Sequence, residues 1–396
     1  MEKEIIVFSD VHYSQNWDTI AACLEAAASS FERYINPNDE LRRLVEWINA
    51  SPNIEAVINN GDSVDYYFTD YLPVAEFISK GTDKNRTTNW ELFNAIIAKL
   101  EKPYLAVPGN HDYRKEAYNY TIWGTDHVNL SSGVRKKFKK QIGHQRFRGP
   151  FELASVLSDE KTFDPPVAPG GCKNRDNRVI GKFDCIFLDS GKDAFACPSN
   201  YLKCLETLIR TRMISYDSDG LDEQDLDYVA SVLSRGTRQD VMLFQHAPLI
   251  NSKTSRLHHA YQLSVDSFRR LNLRQQISYN TIVNGGGRLL HMIRNTEKNI
   301  ILVCSHVHNS KYYLIDKKTL TAREVRSREF NLERHNRRYI KQVSTLPLGG
   351  IYRKVGGLKT GFLRISSSGF EEIVFHDFNG HISRERKDLT SWRKIS

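Results

Sequence analysis

Cysteine is scarce in this sequence, and no two cysteines form a close pair. The six cysteines among 396 residues contain no C-x-x-C motif; they are Cys23, Cys172, Cys185, Cys197, Cys204 and Cys304. A chain of this length can bury a substantial core without disulfide bonds, so we expect free thiols. Cys304 lies at the end of an apolar run, where we expect it to act as a small hydrophobic residue and not as a ligand.

Long apolar runs are also missing. No uninterrupted apolar stretch approaches the roughly 18 residues that a membrane helix requires, so we expect no contact with a membrane. The charged residues after Met1 lead directly into the run at Ile5, which leaves no apolar centre for a secretory signal. We therefore expect a cytoplasmic protein. Internal repeats and low-complexity tails are absent as well, which excludes solenoid and fibrous architectures.

The net charge is +9, and much of the excess lies in two stretches. One runs from Arg135 to Lys140 and continues to Arg146 and Arg148, and the other covers Arg323 to Lys341. Such stretches are typical of solvated surfaces, but they also suit a track for the phosphates of a nucleotide or nucleic acid. The sequence leaves both interpretations open, and it leaves the oligomeric state undetermined.

Apolar runs alternate with amphipathic segments along the first half of the chain. The spacing predicts helices over 39–49, 88–99 and 221–233, each of which leads into an apolar run with the length of a buried strand. This order is typical of an α/β protein with largely parallel, layered sheets. Beyond residue 310, short alternating runs predict further strands over 311–316, 322–325, 361–365 and 370–375.

Two long segments interrupt this alternation. We expect residues 113–180 and 190–220 to form an inserted cap or lid, and residues 250–299 to form a second insertion that shapes the substrate site. The glycine-rich patch Asn284 to Arg288 lacks the Lys-Ser/Thr ending of a phosphate-binding loop, so we expect a flexible turn there. Residues 310–396 are expected to complete a second sheet within a single domain of residues 1–396.

Five polar clusters each follow an apolar run. They are Asp10-Val11-His12, Gly61-Asp62-Ser63-Val64-Asp65, Gly109-Asn110-His111-Asp112, Gln245-His246-Ala247 and Ser305-His306-Val307-His308. In an open α/β sheet the ligand crevice lies beyond the carboxyl ends of the strands, so clusters far apart in sequence can meet there. The side chains that we expect to bind metal are Asp10, His12, Asp62, Asn110, His246, His306 and His308. Together they offer the oxygen and imidazole ligands that a pair of divalent metal ions requires.

In this order the clusters resemble the calcineurin-like metallophosphoesterases, whose pattern is D-x-H, G-D-x-x-D, G-N-H-[DE], a lone His and G-H-x-H. The resemblance covers residues 10–308. It implies a four-layer α/β/β/α sandwich, in which helices flank two packed mixed sheets and a cap is inserted. It also implies two divalent metal ions, with manganese expected and iron, zinc or nickel also compatible.

The resemblance further implies a role for each position. Asp10, His12 and His308 would bind the first metal, Asn110, His246 and His306 the second, and Asp62 would bridge both. A metal-bound hydroxide would attack phosphorus, while His111 assists the leaving oxygen and Asp112 orients His111 by a hydrogen bond. Asp65 is expected to support its loop.

The sequence departs from the family pattern at three positions, and these departures narrow the branch of the family that it resembles. Ser305 stands where the family usually has glycine, which adds a Cβ at a close backbone approach and predicts altered geometry or additional hydrogen bonding around the ligands. Asp65 stands where purple acid phosphatases place a tyrosine ligand. The arginine that follows the corresponding aspartate in protein serine/threonine phosphatases is absent, so the prokaryotic-type phosphoesterases and phosphodiesterases remain.

The sequence therefore predicts a phosphoester hydrolase, with a phosphodiesterase for a nucleotide or nucleic-acid substrate as the first interpretation. The first alternative is a metal-binding or scaffold protein that keeps the fold with little turnover, and the second is a phosphomonoesterase. Metal content distinguishes a catalyst from the scaffold protein of the first alternative, because a catalyst is expected to hold close to two metal ions per chain.

Overall fold

A computed structural model describes the chain in fourteen segments: residues 3–15, 17–18, 32–65, 88–113, 175–191, 218–250, 282–308, 311–320, 322–325, 329–330, 337–353, 360–366, 373–377 and 393–394. The strands are β1 Glu4–Phe8, β2 Glu32–Ile35, β3 Ile54–Asn60, β4 Tyr104–Val107, β5 Arg175–Ile180, β6 Phe183–Leu188, β7 Ser218–Gly220, β8 Asp240–Gln245, β9 Ile282–Asn284, β10 Asn299–Cys304, β11 Lys311–Asp316, β12 Ala322–Val325, β13 Tyr339–Ser344, β14 Gly350–Arg353, β15 Gly361–Ser366, β16 Ile373–Asp377 and β17 Arg393–Lys394. The helices are α1 Pro37–Ala50, α2 Asn89–Ile97, α3 Glu223–Arg235 and α4 Gly286–Arg294, and a short 3-10 helix covers His111–Tyr113.

Two larger sheets contain most of these strands. The first has the order β17-β16-β15-β1-β3-β4, and the second has the order β12-β11-β13-β10-β8-β6-β5. Strands β1, β3 and β4 are parallel to one another in the first sheet, and β6, β8, β10 and β13 are parallel in the second. The carboxyl ends of the parallel strands therefore meet at one edge of each sheet, as the sequence predicts.

Alternating side chains of β1 show how the layers form. Ile5 and Val7 join a core cluster that contains residues of both sheets, so the two sheets pack against each other. Ile6 and Phe8 point to the opposite face, where α1 and α2 cover the first sheet. Helices α3 and α4 cover the outer face of the second sheet in the same way. The expected four-layer α/β/β/α sandwich is confirmed.

The helices begin where local side chains satisfy their first backbone amides. Asn36 accepts a hydrogen bond from the backbone N–H of Asn38, directly before Pro37 at the start of α1. Capping boxes open α2, with Thr88 and Glu91, and α3, with Asp222 and Asp225. Each of these helices carries its apolar residues on the face that packs on a sheet, which explains why their periodicity is visible in the sequence.

Several sequence expectations need correction. The strands after residue 310 do not complete one sheet: β11, β12 and β13 join the second sheet, but β15, β16 and β17 extend the first. The segment 175–180, expected within the cap, is the edge strand β5 of the second sheet. Within the second expected insertion, 250–299, α4 packs into the core through Leu289 and Ile293, and a role of this insertion in shaping the substrate site stays a prediction. Gly285 is not a flexible turn; it caps α4 in a left-handed conformation with φ +78°.

The second basic stretch forms part of the fold where the structure describes it. Lys341 is buried in β13 and donates to the carbonyl of Phe330 at 2.5 Å. Arg338 pairs with Asp316 at 2.6 Å, and Arg323 pairs with Glu329. These internal partners reduce the positive charge that this region presents to a phosphate backbone.

Other expectations lie outside the described residues. These are most of the cap, 114–174 and 192–217, the first basic stretch at 135–148, and the first part of the second insertion, 251–281. Both cysteines in the described portion, Cys185 and Cys304, are buried free thiols, and burial raises the pKa of each above its ordinary value. No helix in the described part of the chain has the length and apolarity needed to cross a bilayer.

Candidate metal centre

Backbone hydrogen bonds join the loops that carry the polar clusters. Beyond the ends of β1 and β3, the N–H of Asp10 donates to the carbonyl of Gly61, and the N–H of His12 donates to that of Asp62, both at 2.9 Å. In the second sheet, the N–H of Ser305 donates to the carbonyl of His246 at 2.7 Å. The ligand loops of each sheet are therefore held in fixed register with one another.

Five of the predicted ligands have a left-handed backbone. The φ angles are +49° for Asp10, +49° for His12, +54° for Asp62, +69° for His306 and +50° for His308. Among the described non-glycine residues, only Leu320 shares this property. A left-handed non-glycine residue costs on the order of 1–3 kcal/mol, and such residues cluster at functional sites. The surrounding fold holds these residues in strained conformations.

The first group of side chains comprises Asp10, His12 and His308, whose ligand atoms all lie within 4.8 Å of one another. Oδ1 of Asp10 is 3.3 Å from Nε2 of His308, and the Nε2 atoms of His12 and His308 are 3.1 Å apart. These three residues are the set that the resemblance implies for the first metal.

The second group comprises Asp62, His246 and His306, whose ligand atoms also lie within 4.8 Å of one another. Asn110 is buried between two residues that contact Asp62. One is Gly109, whose Cα faces Asp62, and the other is His111, whose backbone N–H donates to Oδ1 of Asp62 at 2.8 Å. All seven predicted ligand residues are therefore brought to this edge of the sandwich, and their assignment to particular metals stays a prediction.

Asp62 lies between the two groups. Because its Oδ1 accepts the N–H of His111, Oδ2 is the oxygen that faces the imidazoles. Oδ2 lies 3.1 Å from Nε2 of His246 and 3.6 Å from Nε2 of His12. One carboxylate oxygen therefore faces a histidine of each group, which is the placement that a bridging ligand requires.

The atoms at this point fit a bound cation. Nδ1 of His246 lies 2.9 Å from the carbonyl oxygen of Asn60 and donates to it, so Nε2 of the neutral ring carries only a lone pair. Among the residues that the structure describes, neither this Nε2 nor Oδ2 of Asp62, both buried, has a hydrogen-bond partner. Two acceptors 3.1 Å apart repel each other unless a proton or a metal ion lies between them. The donor set therefore matches the divalent cations that the family implies.

The two buried groups differ in the protonation state that their surroundings favour. Burial opposes the charged form of His246, but the carboxylates of Asp62 and Asp10 outweigh it and raise the pKa of His246 to about 9. Burial also opposes ionisation of Asp62, yet His246, His111 and His12 hold the pKa of Asp62 well below its ordinary value. Asp62 is thus anionic at neutral pH, which is the state that binds metal, whereas His246 would have to release a proton to bind a cation through Nε2.

The hydrogen bond that orients His111 comes from a different residue than expected. Nδ1 of His111 lies 2.8 Å from Oδ1 of Asp65, so Asp65 holds the ring. The carboxylate of Asp112 instead accepts the backbone N–H groups of Gly109, at 2.8 Å, and Val64, at 3.1 Å. Burial and the charge of Asp62 raise the pKa of Asp112 to about 7. Asp112 therefore joins two ligand loops, whereas the resemblance implied that it orients His111.

Asp65 is therefore a site residue whose role the sequence analysis missed. Its carboxylate also lies 3.7 Å from Nδ1 of His12, which gives a third group of close ligand atoms with His12 and His111. Burial opposes ionisation, but the hydrogen bonds to His111 and His12 hold the pKa of Asp65 far below its ordinary value. Its place three residues after Asp62 was the available signal, because the resemblance pattern contains this second aspartate.

Two glycines permit the close approach of the loops. A Cβ on Gly109 would lie 2.2 Å from the backbone nitrogen of Asp62, and a Cβ on Gly61, at φ +96°, would lie 2.4 Å from Nδ1 of His246. We expect Gly61→Ala and Gly109→Ala each to lower the free energy of unfolding by more than about 1 kcal/mol. Because the clashes displace ligands, we also expect each to weaken Mn²⁺ binding at least about 10-fold. Urea denaturation and titration calorimetry measure the two effects.

Gly287→Ala is the matched control for these variants. A Cβ at Gly287 meets no atom within 4 Å, and this glycine lies in α4. Alanine is favoured over glycine within a helix by roughly 0.5–1 kcal/mol, so this variant is expected to be as stable as the wild type or more so. Equal metal affinity in all three variants would contradict the close approach described above.

These features define a class: an α/β sandwich that gathers histidine and aspartate ligands at the carboxyl edges of its parallel strands. Residues 3–272 match the family of calcineurin-like phosphoesterases. The chain belongs to this family of phosphoester hydrolases, which confirms the resemblance. The match ends before His306 and His308, which the structure nevertheless brings to the same site. A comparison with curated proteins gave no sequence match.

The solved structures to which this chain is similar include the following three. Purple acid phosphatase PPD1 from yellow lupin (Lupinus luteus) seeds is 13% identical over 95% of this chain and 51% of its own, with a TM-score of 0.42. PhoD is 10% identical over 100% of this chain and 72% of its own, with a TM-score of 0.43. A putative 5'-nucleotidase from Staphylococcus aureus is 11% identical over 95% and 53%, with a TM-score of 0.36. The chain spans about half the length of the first and third of these proteins.

Proposed function

We propose that this protein hydrolyses phosphoesters with the help of two divalent cations held by the predicted ligands. The observation that carries the proposal is Oδ2 of Asp62, which faces His246 at 3.1 Å and His12 at 3.6 Å. One anionic oxygen shared between two histidine groups is the arrangement that places two cations next to each other. When bound, such a pair supplies an activated water and neutralises charge on the phosphoryl oxygens.

Side chains of the protein orient the phosphoryl group and the leaving oxygen. Asp10 and His308 come from different sheets, so a phosphoryl group at this edge is held between two rigid layers. Asp65 fixes Nδ1 of His111 at 2.8 Å, which leaves Nε2 as the ring atom that can reach the leaving oxygen. His111 then donates a proton to that oxygen as it departs, or stabilises the negative charge that develops there.

The charges around the site support a diester over a monoester. In the segments that the structure describes, the ion pairs of Asp10, Asp62 and Asp65 are all with histidines. A monoester carries close to two negative charges at neutral pH, since its second pKa is about 6. A diester carries one. A site without a lysine or arginine in these pairs is better matched to the single charge of a diester.

We further propose a nucleotide or nucleic acid as the source of that diester. The support is the net charge of +9, which attracts polyanions. Binding of a single-stranded oligonucleotide is then expected to weaken steeply as salt rises from about 50 mM to 200 mM, because released counterions drive it. Binding that is independent of salt would leave a small diester as the substrate.

Hydrolysis of model esters tests the reaction. Purified protein supplied with Mn²⁺ is expected to hydrolyse bis-p-nitrophenyl phosphate, and to do so with higher kcat/KM than p-nitrophenyl phosphate. Elemental analysis of the same sample is expected to give close to two metal ions per chain. Absence of turnover in a sample that holds both metals would reject the hydrolase, and a preference for the monoester would reject only the diester assignment.

Removing metal is expected to destabilise the protein. The ligands converge only in the folded state, so cations bind the native state and not the unfolded chain. At a concentration of a hundred times Kd, each cation adds about 2.7 kcal/mol to the free energy of unfolding. Thermal unfolding in EDTA should therefore start at a lower temperature than in Mn²⁺, and Ca²⁺ serves as a control for ionic strength. An identical transition in EDTA and Mn²⁺ would contradict a metal centre.

A further inference from the structure

The side chain of Ser305 is built into the site. Ser305 directly follows β10 and is buried. Nδ2 of Asn60 donates to its Oγ at 2.6 Å, and the same nitrogen lies 3.2 Å from the carbonyls of Gln245 and Val303. The residue that departs from the usual glycine of the family therefore finds both space and a hydrogen-bond partner.

From Ser305 a chain of hydroxyl groups leads to a predicted metal ligand. Oγ1 of Thr345 lies 2.9 Å from Oγ of Ser305, and Oγ of Ser9 lies 2.6 Å from Oγ1 of Thr345. Oγ of Ser9 in turn donates to Oδ2 of Asp10 at 2.6 Å. The four residues are completely buried. Ser305 follows β10, Thr345 follows β13, and Ser9 and Asp10 follow β1. The series of hydroxyl groups therefore crosses from the second sheet to the first.

The carboxylate of Asp10 fixes the direction of the hydrogen bond from Ser9. A carboxylate only accepts, and a hydroxyl has one hydrogen, so Ser9 directs its hydrogen to Asp10. Oγ1 of Thr345 donates to Oγ of Ser305, which also accepts from Nδ2 of Asn60. Thr345 in turn contacts Oγ of Ser9 at 2.6 Å. The placement of the Thr345 hydroxyl beside Ser9 therefore depends on the oxygen of Ser305.

The hydrogen bond from this series of hydroxyl groups determines which oxygen of Asp10 faces the histidines. Oδ2 accepts from Ser9 at 2.6 Å, and the backbone N–H of His306 lies between the two carboxylate oxygens, 3.1 Å from Oδ1 and 3.3 Å from Oδ2. Oδ1 remains directed at Nε2 of His308, 3.3 Å away. Because Thr345, itself held by Ser305, contacts the hydroxyl of Ser9 from the other side, this carboxylate is positioned more firmly than by Ser9 alone.

We propose that Ser305 and Thr345 are positioning residues that act through Ser9 to orient Asp10 for the first cation, an inference that rests on the proposed metal-dependent function. Partners that orient metal ligands typically contribute about 10-fold to 100-fold in metal affinity. We therefore expect Ser9→Ala to weaken the first Mn²⁺ site by an amount in that range. Thr345→Val and Ser305→Ala should have successively smaller effects, and the second Mn²⁺ site should change little.

Titration calorimetry with Mn²⁺ on the whole chain measures both sites, and urea denaturation of the metal-free variants reports folding. Thr345→Ser keeps the hydroxyl and is expected to restore the affinity that Thr345→Val loses. Ser344→Ala is the matched control, because Oγ of the neighbouring buried Ser344 has no hydrogen-bond partner in the structure. Ser305→Gly, the residue usual in the family, provides a second variant at this position.

The possible outcomes are distinct. A graded loss at one site that Thr345→Ser reverses supports the proposal. Unchanged affinity in Thr345→Val and Ser305→Gly overturns it, and so does a Thr345→Ser variant as weak as Thr345→Val, since the effect would then come from packing. A wild type that binds no Mn²⁺ would reject the metal-dependent function itself, which separates the two failures.

Discussion

Asp62→Asn is expected to abolish tight binding of two cations and to reduce kcat/KM for bis-p-nitrophenyl phosphate by at least about 10³-fold, or ~4 kcal/mol. The change removes the negative charge from the one oxygen that faces both histidine groups. Asparagine has the same size, and its carbonyl oxygen can still accept the N–H of His111, so we expect a folded protein. Mn²⁺ titration and steady-state kinetics measure the two losses.

Asp184→Asn is a suitable control for this change. Asp184 is a buried carboxylate of β6 that lies 3.7 Å from Nζ of Lys298, within the described part of the second sheet. Its replacement removes a buried charge without touching the metal ligands, so metal stoichiometry and kcat/KM should remain close to wild type. If Asp62→Asn still bound two Mn²⁺ ions and kept its turnover, Asp62 would not bridge them.

His111→Gln is expected to lower kcat by about 10²-fold to 10⁴-fold for substrates with an alkoxide leaving group, the range typical of general acid catalysis. For p-nitrophenyl esters the expected loss is much smaller, because p-nitrophenolate leaves without a proton. His111 contributes its backbone N–H and not its ring to Asp62, so Mn²⁺ affinity should stay near that of the wild type. A dinucleoside monophosphate and bis-p-nitrophenyl phosphate provide the two leaving groups.

Asp65→Asn tests the orientation of His111 separately. The variant keeps an oxygen near Nδ1 of His111 but removes the charge 2.8 Å from the ring. We expect a smaller loss than in His111→Gln, with the same dependence on the leaving group. A loss that is equal for both leaving groups, in either variant, would show that His111 does not protonate the departing oxygen.

The fold could be predicted from the sequence where one residue pattern determines one element. The apolar runs at 5–8, 56–58, 104–107, 241–244 and 300–303 are all buried strands. Strands β11 and β12 also match their expected bounds. Strand β13 was missed because its two polar residues, Lys341 and Gln342, are buried with hydrogen-bond partners that come from distant segments. A charged or polar residue in a core strand has no local signature.

The candidate site also has some features that the sequence predicts and others that it does not. The ligand types and their places after strands were readable from the sequence, because parallel strands bring their carboxyl ends together. The choice between Asp65 and Asp112 as the partner of His111 was not readable, since it depends on how the 3-10 helix at 111–113 turns the ring away from its neighbour. The left-handed backbone of five ligands was equally hidden, because aspartate and histidine adopt that conformation more often than other non-glycine residues but only at a small fraction of their positions.

The position of β1 has a consequence for biosynthesis. This strand lies between β3 and β15, so the centre of the first sheet contains residues from both ends of the described chain. A nascent chain that has reached residue 272, where the family match ends, lacks His306, His308 and the strand beside β1. Completion of the proposed metal centre therefore requires synthesis of the last third of the molecule, and a chain that stops at residue 272 lacks two of the seven predicted ligands.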